Sequence, residues 1–367
     1  MQRKSVNFAN RGSAFIDELR ARVEAYFREN NLSRYGNAEV IAGAAFMFAL
    51  YLGPYILMVS GLVSSPLMML GCWVVMGFGM AGVGMVLMHD ANHGSFSKNR
   101  KVNKWLGKSL YLLGGFPPNW RRQHNSLHHG YTNIDGLDED IQPPGILRIS
   151  PHRKLLKIHR FQFIYAWLLY GLMTLSWITI KDFKQLNRYQ KDGVQLTQKN
   201  SYKRLMADLI GTKLLYYAIF LVVPILVLPI PWYVTLLFFV AMHVVCGIIL
   251  GTVFQAAHVI PDTKFPLPDA QGNIEINWAE HQLSATSDFA PRNRLLSWLI
   301  GGLNFQVEHH LFPYISHVHY RNLAPLVRET ARKHHLAYHV QPTFGAALQA
   351  HLKMLKKLGK NGSRSYE

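Results

Sequence analysis

Three short stretches concentrate imidazole: His89 and His93 in HDANH, His124, His128 and His129 in HNSLHH, and His309 and His310, opened by Gln306, in QVEHH. Imidazole nitrogen ligates iron, copper, nickel and zinc. On a helix, side chains three or four residues apart share a face, so each stretch can aim its nitrogens at one point. Together they offer more ligands than one four-coordinate zinc takes up, which points to a two-metal centre. His258, in FQAAH, ends a long apolar run and joins the candidate ligands. His-Glu-x-x-His is absent, which removes the common zinc peptidase arrangement, and so is the Glu-x-x-His of carboxylate-bridged soluble di-metal bundles.

The elements that must position these groups are membrane helices. The chain has 367 residues and is 49% hydrophobic, with its apolar residues gathered in long runs. A bilayer crossing takes about 20 mostly apolar residues, and the runs at 41–62, 67–88, 211–229 and 233–254 meet that length. They predict an all-α, polytopic protein with two transmembrane hairpins. The first 39 residues are polar and of mixed charge, unlike a secretory signal. The formal net charge is +18, yet the links Ser60 to Pro66 and Leu228 to Trp232 carry no charge. The positive-inside rule then puts both termini and all three histidine clusters on the cytoplasmic side, with 1–40, 89–210 and 255–367 forming a helical cap. The basic excess serves orientation and contact with anionic lipid; no nucleic-acid module is present. Cys72 and Cys246 fall inside predicted spans and suggest packing, with no disulfide framework.

Residues 14–28 place Phe15, Ile16, Leu19, Val23, Tyr26 and Phe27 on one stripe, predicting an amphipathic surface helix. The apolar segment 163–180 is long enough to cross, but a fifth crossing would separate the third cluster from the other two. It is therefore predicted to lie at the interface, as is 105–117, which ends at Pro117-Pro118. Helices are expected near 321–336 and 343–358, and the whole of 1–367 is expected to be one integral-membrane domain. Gly77, Gly79, Gly82 and Gly84 of the second span suit either close helix packing or space for an apolar ligand.

In order, spacing and hairpin–box–box–hairpin–box layout, HDANH, HNSLHH and QVEHH resemble the three histidine boxes of membrane fatty-acid desaturases. The resemblance covers about 35–345, and the glutamine opening the third box is similar to that of the front-end group, which includes sphingolipid desaturases. It implies a non-haem di-iron centre ligated by His89, His93, His124, His128, His129, His258, His309 and His310, with Gln306 where relatives carry another histidine. It also implies removal of two hydrogens from an unactivated methylene pair of an acyl-CoA or acyl-lipid, with dioxygen as co-substrate. Such chemistry calls for an oxidant, so no catalytic acid, base or nucleophile is expected beyond the metal ligands. A hydroxylase, ketolase or epoxygenase of the same class would share the oxidant and differ in product. A metal transporter or haem protein fits less well, since transporters hold metal near the bilayer midplane and haem takes two axial ligands.

Asp90 and Asp138 are the leading candidates to fix imidazole tautomers, ahead of Glu308, Asp135 and Asp140. His281, His317 and His319 fit no ligand spacing and are expected at the surface or hydrogen-bonded, while His334, His335, His339 and His351 are expected to be solvated. Trp105, Leu110, Phe116 and Trp120 could line an acyl tunnel, and Lys101, Arg121 and Arg122 could hold a phosphate of coenzyme A or of a lipid. The His-Pro-Gly-Gly motif of fused b-type cytochrome domains is absent. A separate ferredoxin or b-type cytochrome is therefore expected to deliver electrons on the cytoplasmic face, where basic surface suits an acidic donor.

Overall fold

A computed structural model describes residues 6–9, 14–197 and 201–360. They fall into two compact units, one built from 37–121 and 167–251 and the other from the segments up to 36, 122–166 and from 252 onward.

The first unit carries the membrane helices. Four are long and apolar enough to cross a bilayer: Ala38–Val59, Pro66–His93, Tyr202–Val227 and Trp232–His258. Each expected span has a long apolar helix; the first is as long as its apolar run and displaced three residues toward the N-terminus, and the other three are longer. The first begins at Asn37, whose side chain accepts the backbone N–H groups of Glu39 and Val40. The third begins at Tyr202, nine residues before residue 211, because Lys203, Arg204 and Asp208 are compatible with helix while lowering its hydropathy. Outward positions are apolar, as at Leu67, Leu214 and Leu226.

The small residues of the second span are packing contacts. A Cβ on Gly79 would lie 2.3 Å from the Tyr51 backbone nitrogen, one on Gly82 2.1 Å from the Met47 sulfur, and one on Gly77 2.7 Å from the Met242 carbonyl. Gly84 differs, its nearest neighbour being Leu113 at 3.6 Å. Of the two uses open to these glycines, close helix approach accounts for three.

Two expectations are corrected. The segment 163–180 is not one helix: Lys157–Gly171 and Met173–Lys191 meet at a 54° bend around Leu172. Helix 105–117 also ends early. Arg100–Leu106 tightens into a 3₁₀ turn over Gly107–Leu113 and stops at Gly114, whose φ of 73° terminates the winding. A buried ion pair ties these pieces to the third span. Lys213 Nζ lies 2.6 Å from Asp182 Oδ2 and also donates to the carbonyls of Gly114 and Trp177, while Asn119 donates to the Asp182 carbonyl.

The second unit is a helical body with a large apolar core and a smaller cluster at Val6, Ile134 and Ile274. Helix Ala14–Glu29 buries Phe15, Ile16, Leu19 and Val23, four of the six stripe residues, against Leu283, Phe305, Leu311, Leu323 and Val327. Burying side chains of this size is worth about 1.5–3 kcal/mol each. Helices Tyr320–Lys333 and Phe344–Lys360 lie within three residues of their expected limits. Two short parallel pairings, Asn7–Phe8 with Asn273–Ile274 and Asp288–Phe289 with Val340–Gln341, fasten remote segments together. Arg148 is fully buried because its guanidinium donates to the carbonyls of Pro151, Arg153 and Leu358.

Candidate metal centre

In the membrane unit, a π-helical stretch, Val83–Met88, precedes the last turn of the second span, which carries His89 and His93. Their ring centroids are 4.7 Å apart, and the Trp120 ring stands 5.9 Å and 6.0 Å from them. Asp90 is buried beside them, one carboxylate oxygen 4.0 Å from His89 Nδ1, and its carbonyl accepts Ser95 N–H. Gly94, at φ 79°, ends this helix directly after the pair.

In the other unit the second box is wound as a π-helix over Arg122–His128, followed by an α-helical turn at His129. The expectation of an ordinary α-helical face is corrected here. A π turn takes more residues than an α turn, so residues four apart stay closer to one direction, and such turns recur at functional sites. His124 and His128 stack at 5.3 Å.

Two groupings of imidazoles follow. His128, His258 and His310 each offer a ring nitrogen, all within 4.8 Å of one another. His124, His129 and His309 form the second: His124 and His129 bring their Nε2 atoms to 3.3 Å, and the His309 ring lies 4.6 Å from that of His129.

The hydrogen bonds behind these rings set the tautomers. His128 Nδ1 lies 3.1 Å from Asp138 Oδ2, so it carries the proton and Nε2 presents a lone pair. That Nε2 is buried and has no hydrogen-bond partner among the described residues. His310 Nδ1 donates to Gln282 Oε1 at 2.8 Å, and Gln282 is oriented by its own donation to the His129 carbonyl. His258 Nδ1 faces the Ala285 carbonyl at 3.3 Å, which makes it the donor as well. His258 Nε2 then points a lone pair at Gln306 Oε1, 3.3 Å away, while Gln306 Nε2 donates to the Leu303 carbonyl. Two acceptors face each other there, an arrangement that a cation between them would satisfy. Burial pushes His128 toward its neutral form, but the charges of Asp138 and Asp140 outweigh it and hold its pKa above the ordinary value. Asp138 is also buried, yet His128 and the backbone N–H groups of Asn133 and Asp140 keep it below the ordinary carboxylate range. The donor set of neutral imidazoles with carboxylate- and amide-held Nδ1 protons fits a transition metal such as iron.

Residues 64–342 match the family model described as fatty acid desaturase. The chain belongs to the fatty acid desaturase family. This desaturase is 33% identical over 344 residues to the sn-1 linoleoyl-lipid 6-desaturase of Synechocystis sp., covering 93% of this chain and 94% of that protein. It is 34% identical to the enzyme of the same name from Arthrospira platensis, covering 95% and 93%. It is 35% identical to the acyl-lipid (8-3)-desaturase of Physcomitrium patens, covering 93% of this chain and 71% of that protein. The expected membrane fatty-acid oxidoreductase is thereby established.

Other residues singled out in the desaturase sequence are dispersed. Asp140 accepts from Gln123 and, with His124 and His128, forms a further group able to hold a cation. Asp135 pairs with Arg153 at 3.3 Å. Glu308 is fully buried beside Asp288, and Tyr338 OH donates toward both. Burial raises the Asp288 carboxyl to about 6, and burial together with Asp288 raises Glu308 well above its ordinary value. His281 is buried, its Nε2 donating to the Thr132 carbonyl at 2.9 Å; His319 is buried and His317 half-buried. His351, expected to be solvated, is instead fully buried, its Nδ1 donating to the Val259 carbonyl at 2.8 Å, because helix Phe344–Lys360 turns that face inward. His334 bonds Glu18, and His335 is exposed. Leu110 and Phe116 are fully buried and Trp105 is 72% exposed, so these three do not share one environment. Arg121 donates to Asn92 at 2.8 Å.

The residues that orient imidazoles without any motif are Gln282, Thr132 and Tyr320. Thr132 Oγ1 donates to the His128 carbonyl at 2.7 Å, and Tyr320 OH lies 3.2 Å from His309 Nδ1. Tyr320 lies one residue after the HVH run and Thr132 three residues after the second box, while Gln282 lies far from all three boxes.

Proposed function

We propose that this enzyme is an oxygen-dependent, acyl-lipid desaturase of the front-end type that works through a histidine-ligated di-iron centre fed by a separate electron donor. The observation that carries the reading is the convergence of His128, His258 and His310, each with its Nδ1 proton engaged by a carboxylate, a carbonyl or an amide oxygen. His124, His129 and His309 are proposed as ligands with them, His89 and His93 supply further imidazoles, and Gln306 lends an amide oxygen beside His258. The two units act as one enzyme. Bound iron would supply dioxygen binding and reduction, chemistry that no side chain here can perform. The chain's own residues hold the tautomers: Asp138, Gln282 and the Ala285 carbonyl keep each proton on Nδ1, away from the ligating nitrogen. Per turnover the methylene pair, one dioxygen, two electrons and two protons yield the alkene and two waters.

Acyl-lipid is favoured as the substrate class because the relatives named above are acyl-lipid desaturases. The uncharged links between paired spans support an orientation with both termini and the boxes on the cytoplasmic side. The test is expression in a host of defined lipid profile, with mass spectrometry of total fatty acids and double-bond localisation. The expected product is lighter by two hydrogens, its new bond between an existing double bond and the carboxyl end. A product heavier by one oxygen would move the enzyme to the hydroxylase branch, and a bond elsewhere along the chain would end the front-end assignment.

A further inference from the structure

We propose that the groove along helix Tyr320–Lys333 is the landing surface for an acidic one-electron donor protein, and that Tyr338 links it to the third box. The proposal rests on the reading that electrons arrive from a separate protein. Two adjoining depressions, of about 410 and 690 Å³, share Pro291 and Arg328. Phe305 and Pro325 supply apolar lining, and Arg292, Arg321, Arg328 and Arg332 stand around it. Arg321 is fixed over the Phe305 ring at 5.6 Å and donates to the Pro291 carbonyl. The one acid on the lining, Glu329, is occupied by Arg22. Arg292, Arg328 and Arg332 are exposed and form no salt bridge among the described residues, the Arg328 charge acting on the buried Asp288 carboxyl from beyond ion-pair distance. An apolar centre ringed by exposed arginines in excess of acids suits a small, transient interface whose encounter is steered by charge.

The inner wall argues for a redox partner over a lipid head group. The Arg328 guanidinium lies 5.1 Å from the Tyr338 ring centroid, and Tyr338 OH donates to Glu308 Oε1 at 3.0 Å. Glu308 is the residue before His309. A donor seated in the groove is thus one aromatic ring and one carboxyl group from the third box. Each encounter delivers one electron, the donor being oxidised as the metal site is reduced, and two encounters complete a turnover.

The experiment uses the full chain in nanodiscs of neutral lipid, titrated with a gallium-substituted acidic [2Fe–2S] ferredoxin, which keeps its charge and transfers no electron. Saturable binding that weakens steeply with salt is expected, falling about tenfold or more in R292E/R332E. The neutral variant R292Q/R332Q should show a smaller, graded loss. The control K154E/K157E, which reverses two exposed lysines elsewhere on the same unit, should bind as wild type. No binding by wild type, unchanged binding by R292E/R332E, or equal weakening by the control overturns the proposal. So does a loss confined to phosphatidylglycerol vesicles, which would give the groove to anionic lipid. Product formation driven by a photochemical small-molecule reductant, measured alongside, separates the two readings. Product without ferredoxin binding removes the docking surface alone; ferredoxin binding without product under any reductant removes the electron-fed desaturation mechanism.

Discussion

Asp138 holds the Nδ1 proton of His128 from a fully buried position, so its amide variant would keep the shape and lose the charge that fixes the tautomer. Outer partners of metal-bound imidazoles are typically worth about 10–100-fold in metal affinity or activity. Asp138→Asn is expected to fall in that range, read by iron stoichiometry and product yield together. His128→Ala or His309→Ala should abolish the product and lower bound iron while the protein still inserts; turnover by either variant would remove that residue from the ligand set. At Gln306, replacement by leucine takes away the oxygen facing His258 Nε2 and is expected to weaken iron retention about tenfold. Gln306→His should retain iron, and wild-type retention in Gln306→Leu would deny the glutamine a ligating role. The candidate ligands were legible because imidazoles at fixed short intervals are a local pattern. Gln282 and Asp288 were not, since ordinary residue types remote in sequence reach the boxes only through tertiary contact. A loop acid after a helix is usually solvated, and it is packing against Gln123 and His128 that distinguishes Asp140.

At the scale of elements, hydropathy located the spans because lipid demands continuous apolar helix, but it could not locate their polar ends or the π turns. Both depend on which backbone carbonyl each N–H finds, and composition does not record that. The bend near Leu172 and the stop at Gly114 belong to the same class. Close approach makes a sharper prediction. Gly79→Ala would force a Cβ to within 2.3 Å of the Tyr51 backbone, where no flexible side chain can yield. Overpacking of this kind costs about 1–3 kcal/mol, so a lowered thermal midpoint in detergent is expected, and Gly84→Ala, which has room, serves as the tolerant comparison. Helix Ala14–Glu29 is clasped to Tyr320–Lys333 partly through Glu18, whose carboxyl is held below its ordinary pKa by hydrogen bonds from Lys333 and His334. A lowered folded-state value means that the contribution is present above the ordinary carboxylate pKa and is lost as pH falls through the lowered one. Wild type and Glu18→Gln should therefore differ in midpoint near neutrality and converge in acid; a gap that persists there would contradict the assignment.

For the whole molecule, parity is the constraint. Four crossings return the chain to its starting side, and a fifth would divide the boxes. Single cysteines placed at Gly61 and Ile230, in a background lacking Cys72 and Cys246, should react with an impermeant thiol reagent from the side opposite to one at Asp192, just after the bent pair. Labelling of position 192 from the same side as position 61 would convert the bent pair into a crossing and overturn the proposed topology. The layout of hairpins and boxes was legible in the sequence as an order of segments. The division into two compact units was not, because each unit is assembled from stretches far apart in the chain.

Lys213 has a consequence for how the protein comes into being. A lysine at the centre of an isolated membrane helix costs about 2.5–3.5 kcal/mol on insertion scales. Its acceptors, the Gly114 and Trp177 carbonyls and the Asp182 carboxylate, all precede it in the chain. They are synthesised before it, so every one of its partners already exists when the third span emerges from the ribosome. A lesion at Asp182 would then show itself in the cell as scarcity, through clearance of chains stalled at the insertion machinery, and the molecules that escaped would turn over at an ordinary rate.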